Sequence, residues 1–293
     1  LAKADLVTGL VGEFPELQGV VGGLLLAAEG CDPAVARAVA EHYRPLGPAD
    51  AIPATAAGCL VALADKLDTI QGLLEAGELP SGSRDPFGLR RAANGVLRIL
   101  AERGWVLGAE ELEGEFWTER LHGFLVDKGF STLEVRSVLA QEGSLPALLA
   151  RLEALRGVRS RPDFRTLLEL TRRIHNIVPQ VEQLEAHWRA QGWRPEERAA
   201  VHAEPAAQAL GAAIDQARER VEAAADGGGY DEVVLQLCRL AEPVRRFFDD
   251  VLVIDEQDRD GTHRRKELVA RLASLTTRYF DIRELAGQAV SKR

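Results

Sequence analysis

Apolar residues recur three and four positions apart along almost the whole chain, and no β-branched run alternates with polar residues between hairpin turns. That spacing specifies amphipathic helices, so the fold class read from the sequence is all-α. Breakers at 30–33, 45–53, 79–86, 103–108, 143–146, 157–162, 192–195, 227–229 and 255–261 cut the chain into segments of ordinary helix length. The richest apolar run, Val20 to Ala28, holds two glycines and stops at Glu29. It is too short for a bilayer span and wrongly flanked for a secretory signal, so no membrane partner is read and a cytoplasmic location is expected. The chain opens on Leu1 and contains no methionine, which reads as a piece of a longer protein.

Three regions follow. Residues 1–110 form a first helical domain around a helix predicted from about Pro53 to Ala76, with Leu60, Leu63, Leu67, Ile70 and Leu74 as its expected buried stripe. Asp65 and Asp68 fall on the far side. Two carboxylates one turn apart repel slightly, so they need either water or a cation to keep them ionised. A loop from Leu79 to Arg91 leads into the next helix, with Asp85 expected as N-cap, Pro86 at the first helical position, and Leu89, Val96, Leu97 and Leu100 inside. Arg84, Arg90, Arg91 and Arg98 make this the one locally basic stretch of an acidic domain, since Asp85 is the only acidic residue between Glu78 and Glu102. A phosphate-facing surface and a plain solvated helix face are both open readings.

Residues 111–155 read as a small helical connector, with Gly129 as a C-cap signal and helices over 133–139 and 148–155. Residues 156–293 read as a bundle of long amphipathic helices. Phe164, Leu167, Leu168, Leu170 and Ile174 stand among Arg165, Arg172 and Arg173. Val244, Phe247, Phe248, Val251 and Leu252 stand beside Arg245 and Arg246. Leu268, Leu272, Leu275, Tyr279 and Ile282 stand among Arg264, Arg265, Lys266, Arg271 and Arg278. Rings interleaved with arginine suit a surface that stacks bases and neutralises phosphates. The ring spacing is also that of a buried stripe, so the rings are read first as core.

A net charge of −9 argues against a nucleic-acid partner for the chain as a whole, but the distribution is uneven. Residues 1–110 carry 9 basic and 14 acidic side chains, whereas 156–293 carry 23 of each, and 31 of the 36 basic residues are arginine. Arginine suits bidentate phosphate contacts, although a GC-rich genome also produces it. Cys31, Cys59 and Cys238 form no CxxC pair and read as reduced core thiols. There is no GxSxG elbow, GxxxxGK[ST] loop or HExxH helix, so no catalytic residue is assigned. Leu63-Ala-Asp-Lys-Leu-Asp68 resembles the helix that carries the last metal-binding aspartate of HD-type phosphohydrolases. No His-Asp dipeptide occurs, and His42, the only histidine before His122, reads as structural beside Tyr43. Asp65 and Asp68 are therefore vestigial metal candidates, with no metal expected. A metal-dependent HD-type phosphohydrolase is the alternative function, and a helical scaffold the third.

The linear motifs carry more when taken together. Lys3-Ala-Asp-Leu-Val-Thr8, Val11-Gly-Glu-Phe-Pro-Glu-Leu-Gln-Gly19, Glu41-His-Tyr43, Leu63-Ala-Asp-Lys-Leu-Asp68, Pro80-Ser-Gly-Ser-Arg-Asp-Pro-Phe-Gly-Leu-Arg-Arg91 and Gly95-Val-Leu-Arg-Ile-Leu100, in that order, resemble the β-subunit family of bacterial tetrameric glycyl-tRNA synthetases. A looser likeness continues through Arg172-Arg-Ile-His-Asn-Ile177, Glu204-Pro-Ala206, Phe247-Phe-Asp-Asp250 and Leu268 to Ile282, so it covers essentially the entire chain. The resemblance implies the C-terminal part of that subunit: a degenerate HD-like domain over 1–110, the connector, and a DALR-type anticodon-binding bundle over 156–293. It implies that glycine activation with ATP and Mg belongs to a separate α subunit in a heterotetramer, and that this chain holds no cofactor. The implied partners are tRNA-Gly and the α subunit, not DNA. Anticodon contacts are expected at Arg165, Arg172, Arg173, Asn176, Arg245, Arg246 and Arg278, with Arg84, Arg90 and Arg91 on acceptor-arm phosphates.

Overall fold

The computed structural model describes residues 2–78, 80, 85–195 and 204–286, with 109 and 110 described by their backbone alone. Among them every regular element is helical and no strand occurs, as the 3.6-residue spacing requires. The chain divides into two compact units, Leu1–Phe124 with Ser144–Pro146, and Leu125–Gly143 with Ala147–Arg293. Residues of the expected connector are found in both.

The first unit contains α1 (Gly9–Glu13), α2 (Val20–Ala28), α3 (Pro33–Glu41), α4 (Ala56–Glu75) and α5 (Leu89–Arg103), and α6 (Glu115–Asp127) begins in it. α2 packs on α3, α3 on α4 and α4 on α5. α3 starts at Pro33 because Asp32 accepts a 2.7 Å hydrogen bond from the Ala34 N–H and proline fixes the first helical φ. α2 starts where Asp5, only 3% exposed, accepts from the N–H groups of Gly19 (2.6 Å) and Gly22 (3.2 Å). A carboxylate there satisfies first-turn donors and meets the positive end of the helix dipole. α2 and α3 come close because Gly23 has no side chain: a Cβ there would lie 2.6 Å from both the Ala36 carbonyl oxygen and the Ala40 Cβ.

Two expectations for this unit are corrected. The buried face of α4 is Gly58, Cys59, Ala62, Leu63, Lys66 and Ile70, while Leu60 is 59% exposed and Leu67 and Leu74 are half-buried. The stripe is rotated toward the small residues, which let neighbouring helices approach, and it contains a lysine because the turn that follows α3 presents carbonyls that need donors. Lys66 Nζ donates to the carbonyls of His42 (3.2 Å), Tyr43 (3.1 Å) and Arg44 (2.9 Å). Burial pushes its pKa down to about 8, against the pull of Asp65. Further along, α5 begins at Leu89 and not at Pro86. Asp85 does cap it, but from four residues ahead, accepting from the Leu89 (2.8 Å) and Arg90 (3.0 Å) N–H groups across a left-handed turn at Gly88, φ 70°.

The second unit contains α7 (Thr132–Leu139), most of α8 (Leu145–Val158), α9 (Pro162–Ala190), α10 (Pro205–Asp226), α11 (Tyr230–Arg239), α12 (Ala241–Asp250), α13 (Arg259–Thr277) and α14 (Ile282–Ala286). α9 is its hub, packing against α11, α12, α13 and α14. Its buried residues, Phe164, Leu167, Thr171, Ile174, Ile177, Val181, Glu185 and Trp188, trace a seam of threes and fours. Arg265 and Lys266, expected to flank the last helix, are instead buried. Arg265 Nε donates to the Val253 carbonyl (3.2 Å) and its Nη1 pairs with Glu204 (2.6 Å), tying the segment before α13 to the start of α10.

Lys266 answers the one carboxylate on the α9 seam. Glu185, 1% exposed, accepts from His263 Nδ1 (2.7 Å) and Arg189 (2.9 Å) and pairs with Lys266 Nζ (3.2 Å). Burial alone would raise its pKa. The hydrogen bonds and charges of His263 and Lys266 overcome that and hold the carboxyl below the usual range. A depressed carboxylate contributes stability that is complete above its unfolded pKa of about 4.3 and is lost as pH falls through the folded value. Thermal unfolding followed from pH 6 to pH 3 should therefore show a steeper acid loss for the wild type than for Glu185→Gln, which should be the less stable protein at pH 6; parallel curves would contradict this.

Candidate nucleic-acid interface

At 100° per residue, Arg165, Arg172 and Asn176 fall within about 40° of one another on α9, diametrically opposite its buried seam. All three are exposed. The Arg165 guanidinium donates to the Ser160 carbonyl (3.1 Å), whereas Arg172 and Asn176 make no side-chain hydrogen bond or ion pair to the described residues. Glu169 shares the stripe and is also exposed.

Arg173 lies farther round, toward α12. Its guanidinium stands over the Phe248 ring (4.4 Å to the centroid) and donates to the Phe248 carbonyl (3.3 Å). α12 carries Arg245, paired with Glu242 at 2.7 Å, and Arg246, exposed and without a charged partner among the described residues. On the opposite flank of α9, His175 meets Thr276 of α13 (3.3 Å), and just beyond that helix Arg278 is paired with Glu222 of α10 at 2.5 Å. The fold thus places Arg165, Arg172 and Asn176 on one face, joins that helix to the one bearing Arg245 and Arg246 through Arg173, and commits Arg278 to a carboxylate elsewhere.

Apart from half-buried Tyr279, over which Arg278 stands at 5.4 Å from the centroid, the rings do not join the arginines outside. Phe164, Phe247, Phe248 and Phe280 are all buried, so the interleaved pattern is that of a core with cations at its rim and offers none of these rings for base stacking. Sequence reasoning missed a different cluster at the end of α9, where Trp188 and Trp193 meet edge to face (5.5 Å), Arg259 stands over Trp188 (5.4 Å) and Arg189 over Trp193 (5.9 Å). The visible signal was two tryptophans five positions apart with Arg189 between them.

In the first unit, Arg98 is engaged by the Gly47 carbonyl (2.9 Å) and Glu102 (3.1 Å). Arg90 lines a hollow of about 220 Å³ with Glu115, Phe116, Glu119 and Arg120, so acidic side chains face it. Arg91 is exposed and has no carboxylate partner among the described residues. Arg84 lies outside the described residues. Of the two vestigial metal candidates, Asp65 pairs with Lys3 Nζ at 2.7 Å and Asp68 faces water. His42 is fully buried, its Nδ1 on the Val39 carbonyl at 2.6 Å. Among the described residues no group of three or more His, Cys, Asp or Glu side chains is placed to hold a metal ion, and no helix is long and apolar enough to cross a membrane.

The second unit resembles DALR-type domains: the family model described as the DALR anticodon binding domain matches residues 167–282, from within α9 to the start of α14. A second family model, described as the glycyl-tRNA synthetase beta subunit, matches residues 1–140. Relatives named glycine–tRNA ligase beta subunit, from Ralstonia nicotianae (38% identical) and Leptothrix cholodnii (39%), each align with 98% of this chain, as does one from Phenylobacterium zucineum (39%). The chain spans 42–43% of the length of these relatives. Over nearly its whole length the chain is therefore similar to glycyl-tRNA synthetase beta subunits.

The two adjacent arginines of α9 should separate in stability measurements. Arg173→Ala removes a hydrogen bond and a cation–ring contact and should cost about 1–2 kcal/mol in urea unfolding, while Arg172→Ala should stay within about 0.5 kcal/mol of wild type. Equal costs would contradict the placement.

Proposed function

We propose that this chain is a tRNA-holding part of a glycine–tRNA ligase β subunit, supplying binding and no bond making. The reading is supported above all by one observation: Arg172, Asn176 and Arg246, inside the span that resembles an anticodon-binding domain, stand in water with no carboxylate partner among the described residues. An unpaired guanidinium is already oriented for phosphate or for a base edge, and an unpaired amide offers both a donor and an acceptor. Anticodon nucleotides suit such groups because a single-stranded loop exposes base edges that an RNA duplex hides. With the Phe rings buried, recognition on this face rests on edge hydrogen bonds and phosphate contacts, and stacking is left to guanidinium planes.

In this reading Arg165, Arg172, Arg173, Asn176, Arg245 and Arg246 serve the anticodon loop, and Arg91 of α5 serves acceptor-arm phosphates. Arg90 takes a lesser part because Glu115 and Glu119 share its hollow, and Arg245 and Arg278 because they must first leave Glu242 and Glu222. ATP-dependent glycylation, with its ATP and Mg, would be carried out with a separate α subunit in a cytoplasmic heterotetramer. Asp65, already neutralised by Lys3, has no part in it.

Filter binding of the chain to tRNA-Gly beside a copy with a changed anticodon tests this. The changed copy should bind at least about tenfold more weakly, the equivalent of one lost charge-assisted hydrogen bond to a base. Equal binding of the two would overturn the anticodon reading.

A further inference from the structure

A cavity of about 320 Å³ opens on the first unit, between the end of α3, the middle of α4 and the turn that leads into α5. Its polar side is cationic. Among the described residues, Lys3, Lys66 and Arg91 line it against a single carboxylate, Asp65. Lys3 Nζ neutralises Asp65 at 2.7 Å and also stands 5.5 Å from the centroid of the Tyr43 ring. Lys66 has all three N–H groups on backbone carbonyls, so it contributes positive potential but no free donor. Arg91 has no carboxylate partner among the described residues and keeps its whole donor fork. A net positive cavity with one open guanidinium selects an anion over a cation.

Its other side is apolar. Phe87 is 53% exposed, held out by the turn that Gly88 makes in the left-handed region and that Asp85 fixes from below. Pro45 and Leu46 line the cavity too, Leu46 being 56% exposed. An exposed ring beside an unpaired guanidinium suits a planar group that carries negative charge. The volume is at the lower end of small-molecule sites, room for one nucleotide and far too little for a helix of RNA. Thr69, Gln18 and Tyr43 add hydroxyl and amide groups for base or ribose edges.

We propose that this cavity binds a single nucleotide, its base against Phe87 and its phosphate on Arg91 and Lys3. The inference rests on the RNA-contacting reading of Arg91. The same chemistry is offered by a free nucleoside monophosphate and by an unpaired nucleotide of a bound RNA, and the test distinguishes them.

Calorimetric titration of the chain with adenosine 5′-monophosphate, then with a single-stranded RNA hexamer in its presence, reads the site directly. Binding of the monophosphate should weaken about tenfold in Phe87→Ala and return in Phe87→Tyr, which keeps the ring. Arg91→Ala should weaken the monophosphate about tenfold and leave adenosine, which has no phosphate, unchanged. Displacement of the monophosphate by the hexamer identifies the occupant as an RNA nucleotide; its retention identifies a free one. No heat with either probe up to about 10 mM, or equal affinity in wild type and Phe87→Ala with an unchanged circular dichroism spectrum, would overturn the proposal. The anticodon contacts lie in the other unit, so failure here with intact discrimination of tRNA-Gly would sink the cavity alone.

Discussion

The ammonium of Lys66 lies under the end of α3 with its three N–H groups on three consecutive carbonyls, and the first unit is arranged around that contact. A buried charge is tolerated only when its hydrogen-bonding groups are met, and carbonyls of the turn that follows a helix are stable in the interior only when donors reach them. One side chain answers both needs. Gly95 of α5 leaves room for it, since a Cβ there would lie 2.8 Å from Lys66 Cε. Asp65, next in the chain, lines the same cavity as Lys66 and takes up Lys3. Segments far apart in sequence, from Lys3 through His42 and Asp65 to Gly95, are drawn together by these contacts. The second unit repeats the logic with the sign reversed, as Glu185 gathers His263, Lys266 and Arg189 across α9 and α13.

The same rule sorts the arginines. Those whose guanidinium meets a carboxylate or a run of carbonyls, such as Arg98, Arg265 and Arg278, hold the fold together. Arg172, Arg246 and Arg91 are left facing water without an acidic partner among the described residues, and an acidic protein acquires local anion-seeking surfaces this way despite its net charge of −9. Total charge therefore says little about whether such a chain holds RNA; the unpaired remainder decides.

Much of the fold was legible because amphipathic spacing and cap chemistry are local. The helical class, the inward residues Leu89, Val96, Leu97 and Leu100, and the role of Asp85 as a cap follow from neighbours a few positions away. What failed was set by distant partners. No local pattern places Lys66 inside, because the carbonyls it serves lie more than twenty positions earlier. Leu60 reads as core by hydropathy and is exposed, since α4 turns its small residues inward. Arg165, Arg172 and Asn176 share a face by periodicity alone, but that Arg173 would be taken up by Phe248 and Arg278 by Glu222 depends on how the bundle packs.

The central claim is that unpaired guanidinium groups on α9 and α12 neutralise RNA phosphates, and salt dependence measures that number most directly. The slope of log binding constant against log salt for tRNA-Gly should be shallower by about 1.4 in the double substitution Arg172→Ala and Arg246→Ala, since each lost contact to single-stranded RNA removes about 0.7. A slope unchanged from wild type, in a folded double variant, would contradict the account.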